Sequence, residues 1–169
     1  VDYEAELAFV IGTRARHVAE ADAYEFIAGY TCMNDVSVRD YQMRTSQWTL
    51  GKVFDTHGPC GPFLVTRDEI PDPHALRIRC SIGGETLQDS STSQLVFGIP
   101  RLVAELSAVM TLEPGDLVAT GTPAGGGTSR TPRPSSPPSD RRRAPRPAAP
   151  RRTAAAARRR RARSRGRRR

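Results

Sequence analysis

Two carboxylates two residues apart are the first side chains in this sequence that could do chemistry. Glu4 and Glu6 stand in VDYEAELAFVIG, a run that otherwise has the pattern of a buried strand. On a strand, residues i and i+2 share a face, with Cβ atoms roughly 6–7 Å apart. Held together they repel, and burial raises the cost of both charges. A divalent cation relieves both problems. Mg²⁺ takes oxygen ligands in an octahedron at about 2.0–2.1 Å and keeps positions for water or substrate. The same spacing also suits a solvent-facing strand edge with ordinary surface acids. A third carboxylate, Asp35, lies in NDVSVRDYQ just after an apolar strand. It suits a third ligand, and equally an Asx turn or a helix N-cap, which Asn-Asp loops often supply. Asp40 is as readily a surface acid. Lys52 is the only lysine, the other 25 basic residues being arginine, so it is a candidate for a chemical requirement.

Composition narrows the function classes. The chain has 169 residues, enough for one domain of ordinary size, and a formal net charge of +8 that is unevenly divided. Residues 1–130 carry 10 basic and 17 acidic side chains, a net of −7, whereas residues 131–169 carry 16 arginines and one aspartate, a net of +15. An acidic body argues against a folded nucleic-acid-binding surface, which needs positive charge. Three cysteines, Cys32, Cys60 and Cys80, show no CxxC spacing. That fits free thiols in a reducing cytosol, and a cytoplasmic location is expected. His17, His57 and His74 show no HxxxH or HExxH spacing, so a zinc site is not expected. No apolar run approaches the roughly 18 residues that span a bilayer, so no membrane association is expected. The first residue is not Met, which is what a piece of a longer chain would show.

The elements that must position these residues follow from hydropathy patterning. Residues 3–11 alternate as a strand, with Glu4, Glu6, Ala8 and Val10 on one face and Tyr3, Ala5, Leu7, Phe9 and Ile11 on the other. Glu20 to Ala28 predicts a short helix stopped by Gly29. YTCMNDVS predicts a strand running into a loop at Asn34–Asp35, and Gly51–Pro62 is rich in Gly and Pro, hence irregular. FLVT is a short strand. ALRIRCSI alternates with Leu76, Ile78, Cys80 and Ile82 on one face, and Gly83-Gly84 turns it into ETLQ as a hairpin. Pro100 to Met110 predicts an amphipathic helix with Leu102, Val103, Leu106, Val109 and Met110 on one stripe. LVATGTP predicts a last strand after the EPGD turn. The expected fold class is α+β, mostly β, with two short helices.

After about Gly127 the character changes. The remaining residues contain no Leu, Ile, Val, Phe, Tyr or Trp. Such a segment cannot bury enough apolar surface to offset the entropy of ordering. The expected division is a catalytic domain over residues 1–127 and an Arg/Pro/Ala-rich disordered tail over 128–169. Its narrow vocabulary suits an out-of-frame reading of GC-rich DNA, which translation of the downstream DNA in the other frames would test.

Five motifs in order, VDYEAEL, GYTCMNDVSVRDYQ, GKVFDTHGPCGPFLV, the hairpin into ETLQ, and LEPGDLVATGTPAG, resemble the fumarylacetoacetate hydrolase family over roughly residues 1–125. The resemblance implies a fumarylacetoacetate-hydrolase-like mixed β-sheet rolled around the site, in a homodimer. It implies Glu4, Glu6 and Asp35 as ligands of Mg²⁺, or of Mn²⁺ or Ca²⁺. It implies Lys52 as the catalytic lysine, with Gln42, Lys52 and Thr122 holding the 2-oxo-carboxylate end of the substrate, and Thr56 at the metal's outer shell in some members. The chemistry agrees. Three carboxylates carry charge −3, so a dication leaves excess negative charge, and the substrate end needs a compensating cation. A 2-oxo acid chelates Mg²⁺, which then stabilises the enolate formed when the neighbouring bond breaks.

Two departures from the family pattern bear on activity. Members carry an upstream segment with a His and a Glu that activate water; this chain starts at Val1, and His17 and His57 match no such motif. A hydrolase without its general base loses roughly 10²–10⁴-fold. The closing strand pair expected after Ala124–Gly127 is replaced by the tail, which would leave a sheet edge exposed. The expected function is a Mg-dependent enzyme acting on 2-oxo or 2-hydroxy-dienoic (di)acids, by C–C bond hydrolysis of acylpyruvates, decarboxylation or isomerisation. Many bacterial members of the family serve aromatic-ring catabolism. The alternative is an inactive fragment whose tail binds nucleic acid or anionic surfaces without sequence preference.

Overall fold

A computed structural model describes residues 1–127; the expected tail and its possible frame change lie outside the described residues. Strand β1 (Ala5–Ile11) is buried along nearly all its length. It is flanked by β2 (Ile27–Asn34), which in turn pairs with the two-residue β3 (Val65–Thr66). A one-turn helix α1 (Arg39–Gln42) follows β2. Strands β4 (Arg77–Ile82) and β5 (Glu85–Ser91) form a separate hairpin, then come helix α2 (Ile99–Val109) and strand β6 (Leu117–Ala119). The main sheet runs β3-β2-β1-β6, and every named pairing among the described residues is antiparallel. The class is therefore α+β and mostly sheet, as patterning indicated.

Two clusters divide the core, and β1 belongs to both. Leu7, Phe9 and Ile11 pack with Ile27, Tyr30, Ile99, Val103 and Leu112. Tyr3 and Ala5, one turn of the pleat earlier, pack instead with Ile78, Cys80 and Leu87 of the hairpin. The alternation in ALRIRCSI thus holds for Ile78 and Cys80, which face the second cluster, while Leu76 packs against the first. The Gly83-Gly84 turn has φ of 62° and 93°, the left-handed pair that a two-residue hairpin needs.

The first expected helix is corrected. Glu20–Phe26 is a 3₁₀ segment, and the chain is extended from Ile27 onward. Gly29 does not stop a helix; it lies inside β2, paired with Val10 and Thr66. Its lack of a side chain is needed there, because a Cβ would run into the Val65 carbonyl. Backbone pairing with β1 and burial of Ile27 and Tyr30 outweigh the helical spacing of Ala21, Tyr24 and Ile27. Helix α2 is where expected within a residue, but its stripe is turned. Ile99, Val103 and Ser107 are the buried positions, and Val109 and Met110 are exposed. FLVT and LVATGTP pair over only two and three residues.

Burial gives this core a pH response. Burial, and after it Asp2, pushes the Cys80 thiol from 9.0 up to about 11. Burial, and after it Tyr24, pushes the Tyr30 phenol from 10.0 up to about 12. Between pH 9 and 12 the unfolded chain therefore releases protons that the folded chain keeps, so stability falls as pH rises. Urea midpoints measured at pH 8 and pH 10.5 are expected to differ, the higher pH giving the lower midpoint. Equal midpoints would show that neither group is shielded from water.

Candidate metal and anion site

The β1–β2 register builds the site. Ala5 pairs with Asn34 and Glu6 with Met33, so the end of β2 lies beside the start of β1. The Asn34 side chain accepts from the Glu4 N–H at 2.9 Å, and the Glu4 carbonyl accepts from the Asp35 N–H at 2.9 Å. Asp35 is thereby fixed next to Glu4. One carboxylate oxygen from each of Glu4, Glu6 and Asp35 lies within 4.8 Å of the others. Oxygens on opposite sides of a Mg²⁺ ion are roughly 4 Å apart at its usual bond lengths, so small side-chain adjustments would seat one. Among the described residues this is the only such grouping of possible ligands.

Lys52 enters from a different element. It follows the 3₁₀ turn Trp48–Gly51, which is fastened to the start of α1 by the Val38 N–H donating to the Gly51 carbonyl at 2.8 Å. Gly51 lies so close to Gln42 that an added Cβ would be 2.8 Å from the Gln42 backbone. This close approach brings Lys52 to the carboxylates. Its Nζ donates to Glu4 Oε2 at 2.6 Å and to Asp35 Oδ2 at 2.5 Å. Burial alone would lower the Lys52 pKa, but Asp35 and Glu4 outweigh it and raise it.

The remaining oxygens are also assigned. Arg39 Nη2 pairs with Glu4 Oε1 at 2.7 Å and with Asp2 Oδ2 at 2.7 Å. Arg39 Nη1 donates to Gln42 Oε1 at 2.8 Å. Burial works against an ionised Asp2, yet Arg39 and the Gly127 N–H hold its carboxyl below its ordinary value. The Gly121 N–H donates to Glu6 Oε2 at 2.7 Å. Burial, with Asp35 and Glu4 nearby, pushes Glu6 up to about 7. Four carboxylates thus face two cations, a formal charge of −2 when all are ionised. That balances the charge of one dication, and an all-oxygen donor set suits Mg²⁺, Mn²⁺ or Ca²⁺.

The structure brings Glu4, Glu6, Asp35 and Lys52 into contact distance and treats the other candidates differently. Gln42 is buried one bond behind them, through Arg39. The Thr122 hydroxyl is engaged elsewhere, donating to the Ala5 carbonyl at 3.0 Å and accepting from Gln88 at 2.8 Å. It is its neighbour Gly121 that reaches Glu6. Thr56 is exposed, with a left-handed φ of 70°, and is not among the residues that hydrogen-bond the cluster. A cleft of about 470 Å³ opens beside Asp35 and Lys52, walled by Met33, Trp48, Thr49 and Ala119.

Three contributors escaped the sequence reading. Asp2 continues the alternation of Glu4 and Glu6, and DxExE was visible as a three-acid face. Arg39 stands three residues before Gln42, a spacing that puts both on one side of a helical turn. Gln88 carried no local signal. It is fully buried, accepts from the Ala5 N–H at 3.0 Å and donates to the Pro123 carbonyl at 2.9 Å.

Comparison with known proteins places these residues in context. A family model described as fumarylacetoacetate (FAA) hydrolase C-terminal matches residues 1–154. The mitochondrial oxaloacetate tautomerase fahd2 of Xenopus laevis is 52% identical over 134 residues, covering 78% of this chain and 42% of that protein. A crystal structure of 5-carboxymethyl-2-hydroxymuconate delta-isomerase from Mycobacterium smegmatis superposes with a TM-score of 0.71 at 48% identity, covering 75% of this chain and 49% of that one. Maleylpyruvate hydrolase from Sphingobium sp. SYK-6, solved with manganese(II) and pyruvate, gives a TM-score of 0.68 at 40% identity, covering 75% and 45%. The chain spans less than half the length of each of these three proteins.

Proposed function

The chain belongs to the fumarylacetoacetate hydrolase family, and on that premise we propose that it binds a divalent cation, Mg²⁺ or Mn²⁺, together with a 2-oxo acid. The reaction proposed is one of those that share an enolate: isomerisation, decarboxylation, or C–C hydrolysis of 2-oxo or 2-hydroxy-dienoic (di)acids. Members of the family include a tautomerase, an isomerase and a hydrolase. The observation that carries the proposal is the convergence of Glu4, Glu6 and Asp35 within 4.8 Å, with Lys52 beside them.

Glu4, Glu6 and Asp35 would hold the cation. When bound, it supplies Lewis-acid polarisation of the 2-oxo group and charge stabilisation of the enolate. Lys52, at the wall of the cleft, supplies the positive charge that a substrate carboxylate needs in a site otherwise crowded with acids. Gln42 belongs to the same proposal, since Arg39 holds its carbonyl oxygen and leaves its NH₂ as the donor. Thr122 belongs through the main chain of the Gly121–Pro123 turn, its hydroxyl being committed to Ala5. The cleft is within the size range of small-molecule sites and would enclose a short diacid.

A homodimer and a cytoplasmic location complete the proposal. Trp48, Leu50, Phe63 and Leu64 are exposed, the kind of apolar surface that a second subunit covers. Cys32, Cys60 and Cys80 are free thiols, and no helix among the described residues is long and apolar enough to cross a membrane.

Isomerisation is the reaction to assay first, because it requires only proton movement next to the enolate and no activated water. The full chain is expected to accelerate enol–keto conversion of oxaloacetate with Mg²⁺ or Mn²⁺ and to lose that acceleration with EDTA. Acylpyruvate cleavage and oxaloacetate decarboxylation are measured alongside. Acceleration that survives EDTA would sink the metal role, and none of the three reactions with metal present would sink the enzymatic one.

A further inference from the structure

We propose that Lys52 and the dication compete for the same carboxylate oxygens, so that Lys52 holds metal affinity down until a substrate carboxylate takes its ammonium. This rests on the metal site proposed above. The oxygens around the site are not equivalent. Arg39 occupies Glu4 Oε1, and the Gly121 N–H occupies Glu6 Oε2. The oxygens left to face a cation are Glu4 Oε2, Glu6 Oε1 and those of Asp35. The Lys52 ammonium sits on two residues of that set, at 2.6 Å from Glu4 Oε2 and 2.5 Å from Asp35 Oδ2.

An ammonium and a dication drawn to the same oxygens lie close together and repel. Even at an effective dielectric of about 20, a unit charge some 4–5 Å from a dication alters its affinity by more than about tenfold. The lysine has somewhere to go. Its four-carbon stem lines the same cleft as Trp48 and Thr49, so bond rotation alone carries the ammonium away from Asp35 into that space. A substrate carboxylate lying in the cleft would meet it there. Cation and 2-oxo acid would then each favour the other's binding, a reciprocal linkage carried by one side chain.

The test is calorimetric titration of Mn²⁺ into the full wild-type chain and into Lys52→Met, followed by oxalate into each Mn²⁺-loaded protein. Oxalate stands for the 2-oxo-carboxylate end. Lys52→Met is expected to bind Mn²⁺ about tenfold or more tighter and oxalate about tenfold or more weaker. Mn²⁺ affinity equal to or below wild type in Lys52→Met would overturn the competition. Binding by the variant but not by wild type supports it in its strongest form. Binding by neither overturns the metal site itself, and with it this inference. Should Lys52→Met fail to fold by circular dichroism, Lys52→Gln carries the same comparison.

Discussion

Glu4→Ala is expected to weaken Mn²⁺ binding by more than about 100-fold and to bring divalent-dependent turnover to background. Glu4 is the one carboxylate in contact with both cations of the site, through Oε1 to Arg39 and Oε2 to Lys52. Its removal takes away a ligand and leaves Lys52 with Asp35, and Arg39 with Asp2, as the remaining carboxylate partner. The formal charge of the group changes from −2 to −1, so attraction for a dication falls as coordination is lost. Glu4→Gln keeps the shape and one acceptor oxygen, for Arg39 or for Lys52, while removing the charge. It should fold as wild type yet bind Mn²⁺ nearly as poorly as the alanine variant. Titration calorimetry and a thermal melt on the two variants separate these effects. Wild-type Mn²⁺ affinity in Glu4→Gln would mean that the carboxylates are a structural salt-bridge network and not a metal site.

Gln88→Ala is the second large effect, and it acts on stability. Gln88 is the only described side chain that ties β5 to both the start of β1 and the 121–125 loop. It accepts from the Ala5 N–H and donates to the Thr122 hydroxyl and the Pro123 carbonyl. Truncation leaves the buried Ala5 N–H without its acceptor, takes a donor from the part-buried Thr122 hydroxyl and Pro123 carbonyl, and opens a cavity beside Gly125, where an added Cβ would lie 3.4 Å from Gln88 Cγ. An unsatisfied buried polar group costs about 1–3 kcal/mol, and with the cavity added the loss should come to about 2–4 kcal/mol. Urea denaturation should show the midpoint falling with little change in slope. A loss under about 1 kcal/mol would mean that water or the loop replaces the amide. Because the loop carries Gly121, the variant should also loosen the hydrogen bond that fixes Glu6.

How far the sequence could be read depended on the range of the interaction. The β4–β5 hairpin was legible because its alternation and its Gly-Gly turn are local. The ends of β1 and β2 were legible for the same reason. The stretch around Gly29 was not, because its conformation is decided by pairing with Val10 and Thr66, which lie far from it in the chain. The candidate site divides along the same line. Glu4, Glu6, Asp35 and Lys52 stood out by residue type, spacing or rarity, and the fold brings them together. Asp2 had a local signal in DxExE and Arg39 in its spacing from Gln42, but their pairing spans 37 residues, and Gln88 reaches partners 34 and 83 residues away. No pattern in the neighbouring residues announces such contacts.

The latch between the first and last described residues has a consequence for the living chain. Asp2 accepts from the Gly127 N–H across 125 positions, and Tyr3 donates to the Gly125 carbonyl across 122. Glu6 waits in the same way for Gly121, 115 positions on. A ribosome delivers the acidic strand well before these partners. Until the segment through Gly127 has emerged, β1 can pair with β2, and Asp2 and Glu4 can meet Arg39 and Lys52, but Glu6 lacks the Gly121 N–H and Asp2 the Gly127 N–H. Closing such distant contacts is slow. The acidic face is therefore completed in two stages, β2 and the two cations first and the 121–127 segment last.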